Sequence, residues 1–161
     1  MDLAELETWW QRVQATSLEA TDLTDLVGAP DVHLDDHIEC IPGRARFARA
    51  RILGIRLHAI RWISGFELGF RSPEPLVWKP VKERLGAPER VISQPPKWGA
   101  PMSFLFRAIR GSRTATMTIT VAWFDSDLSK VDGDIAHVSA VTFVRLPGPT
   151  DLLERPSVQG P

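Results

Sequence analysis

The chain has 161 residues, of which 43% are hydrophobic, and a formal net charge of −1; this is enough apolar material for one compact domain with its own core. Its single cysteine, Cys40, excludes an internal disulfide and a zinc site built from several cysteines. No apolar run approaches the roughly 20 residues of a membrane span, and the N-terminal residues lack the pattern of a signal peptide, so we expect a cytoplasmic protein with no membrane partner.

Two helices are predicted at the N-terminus. Asp2 is placed to cap a helix over residues 3–15, in which apolar residues recur at helical spacing. A Thr-x-x-Glu arrangement that begins at Thr16 precedes a second apolar stripe, which ends at Gly28. Glycine suits the position after a helix, and Pro30 cannot continue it, so we predict a short second helix that stops at Gly28.

Alternating apolar and polar residues then predict strands. The stretches with this pattern are residues 31–41, 44–54 and 55–70. We predict Gly54 and Gly65 as bends or hairpin turns. The alternation of the arginines changes near Phe47, which indicates a bulge there. An amphipathic helix over residues 44–63 is the alternative interpretation.

The rest of the chain repeats this order of elements. A helix over residues 77–86 is predicted to stop at Gly86, as the earlier helix stops at its own glycine. Strands are predicted over residues 89–93, 102–111, 114–124 and 136–146. We expect the last two to form a hairpin joined by the acidic loop 125–134. The proline-rich tail, residues 148–161, is predicted to be disordered.

A short pattern of apolar-Gly-Ala-Pro-acidic residues occurs twice, within residues 24–32 and again within 83–91. The repeat predicts an α+β fold of two α-then-β halves, with helices packed on one side of a mostly antiparallel sheet. We place the two halves at about residues 1–71 and 72–147, within one compact domain over residues 1–147.

The residues that define the repeated unit are Leu23, Leu26, Val27, Gly28 and Pro30 in the first copy, and Val81, Leu85, Gly86 and Pro88 in the second. With these residues the unit resembles the tandem α/β modules of the β-lactamase inhibitor protein type. It is similar, too, to the single module of small outer-membrane assembly lipoproteins. The resemblance implies a curved sheet, backed by helices, that binds another protein on its concave face.

A cluster of possible metal ligands lies in the first predicted strand. It consists of His33, Asp35, His37 and Glu39. Residues two apart on a strand point to one face, and two imidazoles with one carboxylate form the ligand set of many Fe(II) and some zinc sites. The more ordinary interpretation is a polar, solvated face on an edge strand. No complete zinc signature, phosphate loop or nucleophile motif occurs in the sequence, so we expect no cofactor and favour a protein that is not an enzyme.

Charge is distributed unevenly along the chain. Residues 1–39 contain ten acidic side chains against Arg12 alone, a net charge of −9. Residues 40–113 contain fifteen basic and four acidic side chains, a net charge of +11, and residues 114–161 carry −3. The opposite charges either neutralise each other across the fold or face different partners.

We therefore expect a non-catalytic, cytoplasmic protein-binding domain, of the kind that bacteria use as toxin-neutralising immunity or inhibitor proteins. The side chains predicted to bind the partner are Trp98, Arg49, Arg51, Arg56, Arg61, Asp35 and Asp36. Tryptophan and arginine are over-represented among interface hot spots. One alternative is a nucleic-acid or anion-binding module that uses the arginine-rich residues 44–61. The other is a small metalloenzyme that uses His33, Asp35 and His37.

Overall fold

A computed structural model of the chain describes residues 1–16, 18–27, 37–39, 47–57, 60–70, 76–93, 101–122 and 136–146. Within these residues the chain forms three helices and seven strands. In chain order they are α1 (Leu3–Ala15), α2 (Ala20–Val27), β1 (His37–Glu39), β2 (Arg49–Leu57), β3 (Ile60–Gly69), α3 (Trp78–Leu85), β4 (Arg90–Ser93), β5 (Met102–Arg110), β6 (Arg113–Ala122) and β7 (His137–Leu146). None of the described helices is long and apolar enough to cross a membrane.

All seven strands belong to one antiparallel sheet, in the order β1-β2-β3-β7-β6-β5-β4. The predicted fold class, α+β with two α-then-β halves, is wrong. The fold is β-rich, because the helices have only 13, 8 and 8 residues and β3 pairs directly with β7 to make one continuous sheet. The repeated glycine and proline pattern is a local signal for a helix end, and it carries no information about which strands pair.

The alternation of side chains gives this sheet two different faces. We call the face that carries Phe66, Met117 and Phe143 the helical face, because the residues buried by all three helices belong to the same core cluster as these side chains. The Trp9 ring of α1 meets Phe66 edge-on at 6.4 Å between ring centroids. We call the opposite face, which carries Glu67 on β3, the open face.

The prediction of α1 is confirmed, including its cap. The Asp2 carboxylate accepts a hydrogen bond from the Glu5 amide at 2.8 Å, as an N-cap side chain should. The helical spacing of the apolar residues predicts Trp10 in the core stripe and Trp9 outside it, toward the sheet or toward solvent. Trp9 is the buried residue and packs on the sheet, whereas Trp10 is half-buried at the edge of the core.

The other two helices depend on different cap residues. α2 begins at Ala20, and its buried Asp22 carboxylate accepts a hydrogen bond from the Glu19 amide at 2.8 Å and pairs with Arg12. The hydrogen bond between the Glu19 amide and Asp22 caps α2 in place of the predicted arrangement of Thr16 and Glu19. The predicted stop of α3 is confirmed, because Gly86 follows the helix with a φ of 79°. The matching stop at Gly28 lies outside the described residues.

Gly54 and Gly65 do not turn the chain. Both lie inside strands, where the register shifts from Leu53 opposite Gly65 to Gly54 opposite Ile63. Ser64 is therefore the extra residue of a β-bulge. The predicted bulge near Phe47 is wrong, because that buried residue precedes the start of β2. The alternative helix over residues 44–63 is also wrong, because β2 occupies much of that range.

The sheet contains a second bulge of the same kind. Thr120 lies opposite Ala140 and Val121 lies opposite Val138, so that Ser139 is left over. In both bulges the serine hydroxyl donates a hydrogen bond to the carbonyl on the facing strand. Ser64 bonds to Leu53 at 3.0 Å, and Ser139 bonds to Thr120 at 3.1 Å. Each bulge is thus stabilised by its own serine side chain.

We expect Ser64→Ala and Ser139→Ala each to lower the free energy of unfolding by about 1 kcal/mol, because each removes one hydrogen bond to a strand carbonyl. Urea denaturation followed by circular dichroism measures the loss. Ser103→Ala is the matched control, because the Ser103 hydroxyl bonds only to another half-buried hydroxyl, that of Thr120. An equal loss in all three variants would show that the bulge hydroxyls have no special role.

Candidate functional site

The open face carries small and hydroxyl-bearing side chains at its centre. β6 places Thr114, Thr116, Thr118 and Thr120 on this face, and all four are half-buried. β7 adds Thr142 directly opposite Thr118. The apolar side chains buried by the described helices belong to the core of the helical face, so these helices leave the open face uncovered. An uncovered sheet face with short side chains can accept another surface at close range.

A groove of about 450 Å³ lies at one end of the open face. Its lining is formed by Ala48, Arg49, Glu67, Gly69, Phe70, Pro101, Thr120, Ser139, Ala140 and Thr142. Gly69 lies opposite Ala140, and Ala140 lies opposite Thr120, so three adjacent strands place short side chains in one row. The groove exists because these side chains leave space above the backbone.

Arg49 lies flat across the sheet at the side of this groove. A Cβ atom on Gly69 would be 2.7 Å from Arg49 Cγ and 2.9 Å from Arg49 Nε, so the arginine occupies the space that a side chain at position 69 would need. Its Nη2 contacts Glu67 Oε1 at 3.0 Å. Gly69 and Glu67 together therefore fix where this guanidinium lies.

Arg51 is the second arginine at this end of the open face. It lies opposite Glu67 in the register of β2 and β3, and its side chain is exposed. Among the described residues it takes part in no hydrogen bond or ion pair. β1 brings the backbone of His37 opposite Arg51 and that of Glu39 opposite Arg49. Arg51 is thus a cation available for an outside partner.

The open face also carries most of the exposed large hydrophobic side chains. Four such side chains are exposed in the described part of the chain: Val91, Ile92, Ile109 and Leu146. Ile109 and Leu146, exposed by 67% and 49%, both lie opposite Thr114 and therefore form one row on the open face. Ile92 shares that face because it lies opposite Ser103. Only Val91 belongs to the other side of its strand.

The ion pairs of the described residues lie both between the two charged segments and within the basic segment. Glu7 of the acidic N-terminal segment accepts a hydrogen bond through Oε1 from Arg84 Nε at 2.6 Å, and this contact joins α1 to α3. The hydrogen bond and the charge of Glu7 raise the pKa of Arg84. By contrast, Arg107 pairs with Glu89 at 3.1 Å, and Arg49 with its own glutamate, inside the basic segment. Neutralisation between the segments therefore exists, but within the described residues the arginines of the open face take no part in it.

The structure brings two of the predicted partner-binding residues, Arg49 and Arg51, to the same end of the open face. Arg56 and Arg61 lie opposite each other near the end of β2 and the start of β3, and their side chains lie outside what the structure describes. Trp98, Asp35 and Asp36 are outside the described residues altogether.

The predicted metal ligands also lie largely outside the part of the chain that the structure describes. His33 and Asp35 lie outside the described residues, and only the backbone of His37 is described, in β1. Among the side chains that the structure does describe, no group of three His, Cys, Asp or Glu residues could hold a metal ion. The metalloenzyme alternative stays a prediction.

Sequence analysis missed Glu67, Gly69, Ile109 and Leu146. The available signal was the Thr-x-Thr-x-Thr-x-Thr pattern of residues 114–120, which is typical of a strand with one polar face.

Comparison of the chain with protein-family models, with curated proteins and with solved structures finds no match in any of the three.

Proposed function

We propose that this chain is a non-catalytic protein-binding domain that holds its partner against the open face of the sheet. The observation that carries the proposal is the position of Ile92, Ile109 and Leu146, three exposed large side chains on the face that the described helices leave uncovered. Exposed apolar groups gain about 25 cal/mol for each Å² that a partner removes from water. A contiguous apolar patch marks an interaction site on a soluble protein, and Ile109 and Leu146 form such a row on this face.

The composition of the open face supports a protein as the partner. An interface needs an apolar centre and polar groups around it that keep their hydrogen bonds. The row of Ile109 and Leu146 supplies apolar contact, while the threonines and Arg51 supply hydrogen-bonding groups close by. The short threonine side chains also allow close approach over a wide area.

The biological role we propose for this binding is the neutralisation of a toxin, as in bacterial immunity proteins. Neutralisation by binding requires a complementary surface and no chemistry by the inhibitor. Co-expression with the product of a neighbouring gene tests the role, since the intact chain should restore growth and an open-face variant should not. Growth that is equally restored by both would contradict binding through this face.

We expect Ile109→Asp to weaken capture of the native partner by at least about tenfold, which corresponds to about 1.4 kcal/mol of binding free energy. A carboxylate at this position would have to be desolvated inside the interface. Val91→Asp is the matched control, because Val91 is also exposed, by 47%, but lies on the other side of the sheet edge.

The measurement is quantitative capture of the partner from the native host by each purified variant, with circular dichroism to confirm that the fold is intact. The proposal requires that Ile109→Asp loses the partner and that Val91→Asp keeps it. Equal capture by both variants, or an equal loss in both, would contradict binding through the open face.

A further inference from the structure

We propose that the groove end of the open face binds an acidic segment of the partner protein, with Arg51 and Arg49 as the groups that contact its carboxylates. This inference rests on the proposed function, and it adds the chemistry of the partner. It follows from three features of this end of the open face: a cation, Arg51, that has no partner among the described residues and lies opposite Glu67 of the groove lining; a second cation held in place; and a groove with room for a side chain.

Arg51 supplies the first feature. Its exposed guanidinium has no ion pair or hydrogen bond among the residues that the structure describes. A guanidinium has five N–H donors in a planar fork that matches a carboxylate. Since Glu67 across the strand pair already contacts Arg49, Arg51 is the cation of this pair of strands that can take a carboxylate from outside.

Arg49 supplies the second feature. The contact with Glu67 engages its Nη2 atom, and the side chain stays 56% exposed. Because Gly69 has no side chain, Arg49 can lie across β3 at the edge of the groove instead of extending into solvent. A cation whose position is already fixed loses less conformational entropy when it binds a partner.

The size of the groove supplies the third feature. Its volume of about 450 Å³ is large enough for one or two side chains of a partner, and Gly69 and Ala140 leave it open toward solvent. A carboxylate in it would meet Arg49 beside it, with the hydroxyl groups of Thr120 and Thr142 as further donors. The groove can therefore hold an aspartate or glutamate side chain with several polar contacts.

Among the side chains that the structure describes, the charges of the open face favour the same partner. Arg49, Arg51, Arg90 and Arg107 lie on it, against Glu67 and Glu89. The excess of positive charge attracts an acidic surface and raises the rate of association.

A protein fits this face better than a nucleic acid does. The apolar row at Leu146 lies six residues along β7 from Ala140, roughly 20 Å from the groove. A protein surface can present carboxylates at one end and aliphatic side chains at the other, whereas a nucleic acid presents phosphates along its length.

The experiment measures binding of a fluorescein-labelled oligo-glutamate peptide to the full chain at low salt by fluorescence anisotropy. We expect Arg51→Glu to weaken binding at least tenfold. Arg110→Glu makes the same charge change at an exposed arginine, the last residue of β5, and should change the affinity for the peptide less than twofold. Glu67→Gln should strengthen binding several-fold, and Gly69→Ala should weaken it several-fold by moving Arg49.

Each other outcome overturns the inference. If the two arginine variants weaken binding equally, only the net charge matters. If an oligothymidylate binds more tightly than the peptide and also depends on Arg51, the face binds nucleic acid, and the proposed function fails with it. If the peptide does not bind but Ile109→Asp still loses the native partner, the binding face stands and only its preference for acidic segments is wrong.

Discussion

Replacement of Gly65 by alanine is expected to lower the free energy of unfolding by about 3 kcal/mol, at the upper end of the usual cost of overpacking. A Cβ atom on Gly65 would lie 1.8 Å from the backbone oxygen of Phe143 and 2.9 Å from Val144 Cα, both in the neighbouring strand β7. Backbone atoms held in a sheet cannot rotate away as a side chain can. Relief of the clash would require β3 and β7 to separate at the centre of the sheet.

Gly69→Ala is the matched control, because Gly69 lies four residues along the same strand and on the same open face. The atoms nearest to a Cβ there belong to the Arg49 side chain, which can rotate toward solvent. We expect this variant to cost less than about 1 kcal/mol, since only one flexible side chain has to move. Its effect should appear in partner binding and not in stability.

Thermal unfolding followed by circular dichroism distinguishes the two glycine variants. For a chain of this size a loss of 3 kcal/mol lowers the Tm by roughly 6 to 12 °C. Similar Tm values for Gly65→Ala and Gly69→Ala would mean that the sheet relaxes around position 65, contrary to the close approach of β3 and β7.

Trp78→Ala is expected to destabilise the protein by about 3–5 kcal/mol, as is usual when a buried aromatic ring is truncated. The Trp78 ring is fully buried and stacks on Phe104 at 4.1 Å between centroids, with 23° between the ring planes. It is the first residue of α3, and its ring attaches that helix to the helical face. Without the ring, α3 keeps the backbone bond from the Trp78 amide to the Ala136 carbonyl but loses the stacking contact with Phe104.

Trp78→Phe is the control for this prediction, because phenylalanine keeps an aromatic ring over Phe104 with a smaller cavity. We expect it to cost less than half as much as Trp78→Ala in urea denaturation. An equal cost for the two variants would contradict this prediction, because it would mean that a phenyl ring over Phe104 contributes no stability.

Local signals predicted the helices well. The Asp2 cap and the apolar spacing of α1 act within a few residues, and so does the positive φ of Gly86 after α3. Strands β5, β6 and β7 were also predicted at nearly their observed bounds from alternation alone. The fold class was not predicted correctly, because the pairing of β3 with β7 joins residues more than 70 positions apart. No local sequence pattern encodes that pairing.

The residues of the candidate site also fall into two groups, those that the sequence alone identifies and those that only the pairing of the strands brings together. Arg49 and Arg51 could be named from the sequence, because exposed arginines in an alternating strand point to solvent. Glu67 and Gly69 reach them only through the register of β2 and β3. Ile109 is apolar and is therefore expected in the core of an alternating strand, and its exposure depends on which face of the sheet the described helices cover.

The two serine bulges affect which changes of chain length the sheet can tolerate. Val138 contributes to the core and Ala140 to the groove, although a regular strand would place residues two apart on the same side. Loss of Ser139 alone would leave both neighbours where they are, because the strand would simply become regular. Loss of Thr142 instead would move the core side chains on one side of the deletion into solvent. The bulge serines are thus the positions at which these strands can be shortened by one residue while the other side chains keep their face of the sheet.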